Sequence, residues 1–299
     1  MEEQKITEHS QKNWYDKSYK ILLIIPLIIF LGSFVYLYFF YIENGDIIYK
    51  DVSITGGTTI TVFAKTDINA LRTSVKEKFP DAIVNSITDF RSGEQTGFLV
   101  ETTASDEELK SFLEDYLGFK LNSENSSIEF TGATLSSSFY KQLRFAMIIS
   151  FVLMAIVVFF IFRTPIRSLS IILAGFADIF MTIVVIDILE IRLSIAGIVA
   201  LLMLIGYSVD VDIMLTTRVV KEKTGSLNHK IFEAFKTGIT MTLTAIAAVG
   251  VALIFTRSFS PVLSQMFTII LIGLCFDIFN CWVTNASLLK WYAEVTKKI

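Results

Sequence analysis

Long uncharged apolar runs dominate the chain, broken by one segment of short alternating patterns. Runs of about 18 or more apolar residues predict membrane-spanning helices. The first covers 21–42, interrupted only by Pro26, Gly32 and Ser33, which spanning helices tolerate. With no small-residue cleavage site and too long a core for a signal peptide, it is expected to stay as an anchor. Five more follow at about 145–162, 168–189, 193–220, 237–256 and 261–289. Between the first and second lies a polar, mixed segment, 43–140.

That segment predicts an α+β domain. Val52 to Ala64 reads as a strand around a glycine pair. Asp67 to Phe79 reads as a helix with Asp67 as N-cap and Ile68, Leu71, Val75 and Phe79 on one face. Ile83–Phe90 and Phe98–Thr102 read as strands across a Ser92-Gly93 turn. Ser105 to Leu117 is a second helix, opened by Ser105 with Glu108 three residues on. Phe119–Leu121 and Ile128–Phe130 could close the sheet, and Thr131–Lys141 reads as a polar return to the membrane. The order fits a ferredoxin-like split βαβ domain.

Composition agrees: 53% of residues are hydrophobic, 18% charged, and the mean hydropathy is +0.60. A soluble domain carries about 25% charge. A net charge of −3 gives no reason to expect nucleic acid. The two histidines, His9 and His229, stand apart in polar segments, and Cys275 and Cys281 lie on different faces of one apolar helix. No metal site, cofactor or enzymatic centre is expected. Charge also predicts orientation. Arg163 and Arg167 flank one link, Arg218, Lys221, Lys223, Lys230 and Lys236 crowd another, and Lys290, Lys297 and Lys298 end the chain. By the positive-inside rule these face the cytoplasm. Both tails, 1–20 and 291–299, are then cytoplasmic, and 43–140 is extracytoplasmic.

Candidate chemistry lies in the spans. A carboxylate at mid-bilayer costs about 2.5–3.5 kcal/mol on insertion scales, so it should face the bundle interior or a wet cavity. Asp178, Asp210, Asp212 and Asp277 fall in this zone. Asp210 and Asp212 are two residues apart and cannot share a helix face. Asp210 sits with Gly206, which permits close helix approach, and Asp212 sits with Ser208 and Thr216. The glycine favours Asp210 as the inward residue. Arg218 ends the same helix at the cytoplasmic rim. Thr237, Thr240 and Thr244 form one stripe of the fifth span, where hydroxyls could bridge the carboxylates or bond between helices.

Three stretches resemble the SecF family, most closely its archaeal branch. Thr55-Gly56-Gly57-Thr58 follows the first span, LIGYSVDVDIMLTTR covers Leu204 to Arg218, and KTGITMTLT covers Lys236 to Thr244. The bacterial fourth-span motif has Asn-Asp where this chain has Asp210-Val211-Asp212, so its carboxylate aligns with Val211. The return Thr131-Gly132-Ala133-Thr134-Leu135 matches the family's Gly-Pro-Ser-Leu only loosely. The resemblance implies a polytopic bundle of six transmembrane helices, half of an RND-like assembly, with the ferredoxin-like domain between helices 1 and 2. It implies partnership with SecD, the SecYE or SecYEG channel and the translocating polypeptide, amid membrane lipid. It also implies use of the proton motive force. Proton-pathway candidates are then Asp178, Asp210, Asp212, Asp277, Arg218, Thr240 and Thr244, with Gly56, Gly57 and Thr58 as the outer-domain motif. The competing expectation is half of an RND-type small-molecule or lipid transporter.

Overall fold

The computed structural model describes residues 14–89, 92–221, 225–258 and 260–296. His9, Phe90, Lys223, Lys297 and Lys298 lie outside the described residues. Six helices are long and apolar enough to cross a membrane. They are α1 (Trp14–Asn44), which enters its apolar stretch at Ser18, α5 (Ala133–Phe162), α6 (Pro165–Ile188), α7 (Ile195–Lys221), α8 (Leu227–Thr256) and a composite sixth. The sixth joins α9 (Pro261–Phe279), a π-helical stretch (Asn280–Asn285) and α10 (Ala286–Thr296). The break between α5 and α6 follows from two residues. Arg163 adopts the left-handed conformation at φ 51, and Pro165 starts the next helix where its missing N–H costs nothing.

Helices α6 and α7 are central, while α1, α5 and α8 leave most of their surface outward. The bundle core is aliphatic, built on Ile183, Ile186, Leu201, Leu204, Ile269 and Leu274. Gly273 lets α9 approach α7 closely, since a Cβ there would collide with the Leu204 side chain.

The outer domain carries α2 (Val52–Thr55), β1 (Gly57–Val62), α3 (Ile68–Lys78), β2 (Ile83–Thr88), β3 (Gln95–Thr102), α4 (Asp106–Leu117) and β4 (Ser126–Thr131). The strands lie in the order β2-β3-β1-β4, all antiparallel, which is the split βαβ arrangement. Alternation puts Ile60, Val62, Phe98 and Val100 on one face, completely buried against Leu71 and Val75 of α3 and Leu109 and Leu113 of α4. Asp67 caps α3 by accepting from the amides of Asn69 and Ala70, and Ser105 caps α4 by accepting from that of Glu108.

Three local expectations change. Val52 to Thr55 is a helical turn, capped by the Asp51 carboxylate and ended by Gly56, so the strand starts at Gly57. Phe119–Leu121 forms no strand, because Gly118 closes α4 in the left-handed conformation and the chain turns there. The return from Ala133 is already helical and continuous with α5.

The domain sits against the outer bundle end through backbone hydrogen bonds. The Asp51 amide donates to the Leu193 carbonyl at 3.1 Å, and the Leu193 amide donates to the Tyr49 carbonyl at 2.6 Å. The Ile195 amide donates to Ser53 Oγ at 3.1 Å, and Arg192 donates to the Asp81 carbonyl at 3.4 Å. Asp46 accepts from Lys50 at 2.7 Å and from the Tyr140 hydroxyl of α5. Burial alone would raise the Asp46 pKa, but these donors hold it below the usual carboxylate range.

Candidate functional site

Three of the four candidate aspartates meet inside the bundle. Asp178 of α6, Asp212 of α7 and Asp277 of α9 are each at most 1% exposed and within electrostatic reach of one another. Asp178 lies about 20 Å along α6 from its start, and so within the apolar zone. Its carboxylate accepts from the Ser208 hydroxyl of α7 and, at 2.7 Å, from the Asn280 carboxamide. Asp212 accepts from the Asn285 carboxamide at 2.8 Å. Its other oxygen, and both oxygens of Asp277, have no hydrogen-bond partner among the described residues. An under-satisfied buried carboxylate is costly and marks a place where a proton or water is needed. The described residues hold no cluster of His, Cys, Asp or Glu with metal-ligating geometry.

The π-helical stretch explains how one helix serves two carboxylates. Its wider turn, with i to i+5 bonding, brings Asn280 and Asn285 to the same side. Asn280 then reaches Asp178, Asn285 reaches Asp212, and the Thr284 hydroxyl donates to Asn280 Oδ1 at 3.3 Å. Neither asparagine is among the sequence candidates. The available signal was two carboxamides inside an apolar run, where interhelical hydrogen bonding is the expected use.

Asp210 does not join the trio. It is exposed, while Asp212 is completely buried, so the expected inward residue is the wrong one of the two. Packing decides it. Ser208, Asp212 and Thr216 stand at spacings of four, each at most 1% exposed, so their stripe is the one turned inside. Asp210 belongs to the outward stripe with Val199 and Met203. Gly206, expected to admit a neighbouring helix, meets nothing: a Cβ there would find open space.

The threonines divide similarly. Thr240 and Thr244 are exposed and donate to carbonyls of their own helix, those of Lys236 at 2.8 Å and Met241 at 2.7 Å. They do not touch the carboxylates. Thr242, completely buried, faces inward instead, within reach of Asp277 and Tyr207. Arg218 is half-buried at the end of α7 and donates to the Glu233 carbonyl of α8 at 3.4 Å. In the outer domain, Gly56 abuts the backbone of Ala133 where α5 begins, Gly57 abuts the Thr102 carbonyl, and Thr58 donates to the Ala104 carbonyl at 2.7 Å. The glycine motif therefore joins the sheet to the membrane helix.

Known proteins resemble this chain along nearly its whole length. The family described as "Protein export membrane protein SecD/SecF, C-terminal" matches residues 113–295. The protein-export membrane protein SecF of Methanocaldococcus jannaschii is 38% identical over 284 residues, covering 92% of this chain and 96% of that one. The SecF of Pyrococcus furiosus is 30% identical over 274 residues, covering 91% and 90%. Among solved structures, the translocon-associated membrane protein SecDF of Thermus thermophilus superposes with a TM-score of 0.72 at 19% identity. It covers 93% of this chain, which spans 38% of that longer chain. SecDF in a super-membrane-facing form gives a TM-score of 0.58.

Proposed function

The chain belongs to the SecF family of protein-export membrane proteins, and from that premise we propose that it works beside a SecD-type subunit, coupling proton movement to export. It is a membrane component of protein export, not an enzyme. The observation that carries the partnership is Asp210. It stands about 22 Å along α7, at hydrocarbon depth, on the outside of the bundle. A carboxylate facing lipid there is expensive, so the outward stripe of α7 needs a protein surface to cover it. A second six-helix half, lining a shared pathway with Asp210, Thr240 and Thr244, meets that need.

Behind that face the buried trio supplies titratable groups. Asp178, Asp212 and Asp277 would bind and release protons as their hydrogen-bond partners exchange, with about 2.3 kcal/mol available per charge per 100 mV. Arg218 would anchor the cytoplasmic end of α7. By the positive-inside rule the basic links support cytoplasmic termini and an outer domain outside, where it would lie next to emerging polypeptide and the SecYE or SecYEG channel. Export supported by the membrane gradient is the assay. Asp212→Asn and Asp277→Asn should reach the membrane, retain the partner and lose gradient-dependent stimulation. Cysteine at Met203 should cross-link to the partner. Normal export in both variants, with no cross-link, refutes the reading.

A further inference from the structure

A cavity lies on the flank of the bundle, away from the Asp210 stripe. It has a volume of about 460 Å³ and runs between α1, the first half of α6 and the π-helical stretch with α10. Its walls are apolar: Leu27 and Phe30 from α1, Leu169, Leu173 and Ala177 from α6, and Trp291 from α10. The three polar residues that touch it are engaged elsewhere. Ser170 donates to the Arg167 carbonyl, and Asn280 and Thr284 belong to the Asp178 network. Leu27, Leu169 and Trp291 are 45%, 58% and 44% exposed, so the crevice opens sideways into the bilayer.

Its dimensions select the occupant. Along α6 it extends from Ile166 to Ala177, which is about 16 Å at the helical rise. That is close to half of the roughly 30 Å hydrocarbon core, the depth of one leaflet. An acyl chain fits. The mouth is flanked by basic residues: Lys20 stands three positions before Leu23, the first α1 residue of the wall, and Arg167 is next to Ile166, the first α6 residue of the wall, with its guanidinium 5.6 Å from the Tyr292 ring. Glu294, the acid on the neighbouring turn of α10, already accepts from the Tyr19 hydroxyl at 2.6 Å.

We propose that this crevice is a lipid site, in which one acyl chain of an anionic phospholipid fills the slot and its headgroup meets Lys20 and Arg167. The chain tip ends at Asn280, the residue that donates to Asp178, so the bound lipid closes the side of the carboxylate cluster against entry from the bilayer. The site does not depend on partnership or proton coupling.

Native mass spectrometry of the delipidated full chain, titrated with dioleoyl phosphatidylglycerol or dioleoyl phosphatidylcholine, tests it. One tightly held phosphatidylglycerol is expected, preferred about 25-fold over phosphatidylcholine, from about 1 kcal/mol for each of the two surface cations. Leu173→Trp, or Ala177→Leu if the first does not fold, should remove that adduct. Val152→Trp on the exposed face of α5 should leave it. Arg167→Gln should cut the preference to about fivefold, and adding Lys20→Gln should bring the two lipids to near parity. An adduct that survives both filling variants, or equal binding of the two lipids to the unmodified chain, overturns the proposal. So does a photo-cross-linker at Leu27 that captures a protein rather than lipid in native membranes.

Discussion

Replacing Asn280 with alanine removes the one carboxamide that links span six to Asp178. Asn280 is completely buried and donates at 2.7 Å to Asp178 Oδ1, while its own side-chain Oδ1 accepts from the Thr284 hydroxyl. A hydrogen bond to a charged group contributes about 1.5–3 kcal/mol, and leaving a buried acceptor unpaired costs about 1–3. Asn280→Ala should therefore destabilise the bundle by about 2–4 kcal/mol. Asp178→Asn keeps shape and leaves Ser208 its acceptor, so about 1 kcal/mol is expected. The decisive quantity is the coupling between them. Interhelical hydrogen bonds in membranes average about 0.6 kcal/mol in double-mutant cycles and reach about 1.7. A buried carboxyl held by a 2.7 Å bond should lie near that upper end. Reversible unfolding in mixed micelles, titrated with denaturing detergent, measures all four corners of the cycle. Additivity within about 0.3 kcal/mol would mean that the contact stabilises nothing and that the π-helical stretch has another cause.

Other predictions concern the outer domain and the orientation. Burial and the negative charge of Asp51 push Glu101 up to about 7, against the pull of Arg192. The folded state then holds a proton that the unfolded chain releases, so this stability is complete below about pH 4.5 and lost as pH rises through about 7. Melting measured from pH 5 to 8 should fall, and Glu101→Gln should flatten the slope; parallel curves would exclude Glu101 as the source. Gly57→Ala forces a Cβ into the Thr102 carbonyl at φ +147 and should destabilise the outer domain by at least about 1–3 kcal/mol, read by limited proteolysis. Unchanged protection would refute that strain. Cysteines at Ser92 and Glu124 should label from outside the cell and one at Gly225 only after permeabilisation, whereas outside labelling at Gly225 would invert the topology.

Much of the architecture was legible because two periodicities are strong in this chain. Uninterrupted apolar runs located the spans, and period-2 alternation with the Asp67 and Ser105 caps located the outer domain. The helical turn at Val52 was hidden because four residues are too few to show a period, and the Asp51 cap that forms it resembles any loop aspartate. Within the site, the presence of carboxylates in the spans was readable but their direction was not. Asp210 and Asp212 lie in a helix apolar nearly all round, so hydrophobic periodicity does not say which face is inside. A stripe of small polar residues, Ser208 and Thr216 beside Asp212, was the better guide than Gly206. The asparagines were missed for a related reason: a π-turn shifts the register of span six, and α-helical spacing does not put Asn280 and Asn285 on one face.

The hydrogen bonds between Leu193 and the segment Tyr49–Asp51 have a mechanical consequence. The outer domain is attached covalently at two places, where it leaves α1 and where it enters α5. Leu193 adds a third, on the short connection between α6 and α7. Two anchors allow a body to rock like a hinged plate; three anchors that are not in line remove the hinge. Any load carried by the sheet is then delivered to the outer ends of α6 and α7, the two helices that hold Asp178 and Asp212. Tilting of those helices and displacement of the domain are one movement, and severing the Leu193 bonds together with those of Arg192 and Ile195 is what would let them move apart.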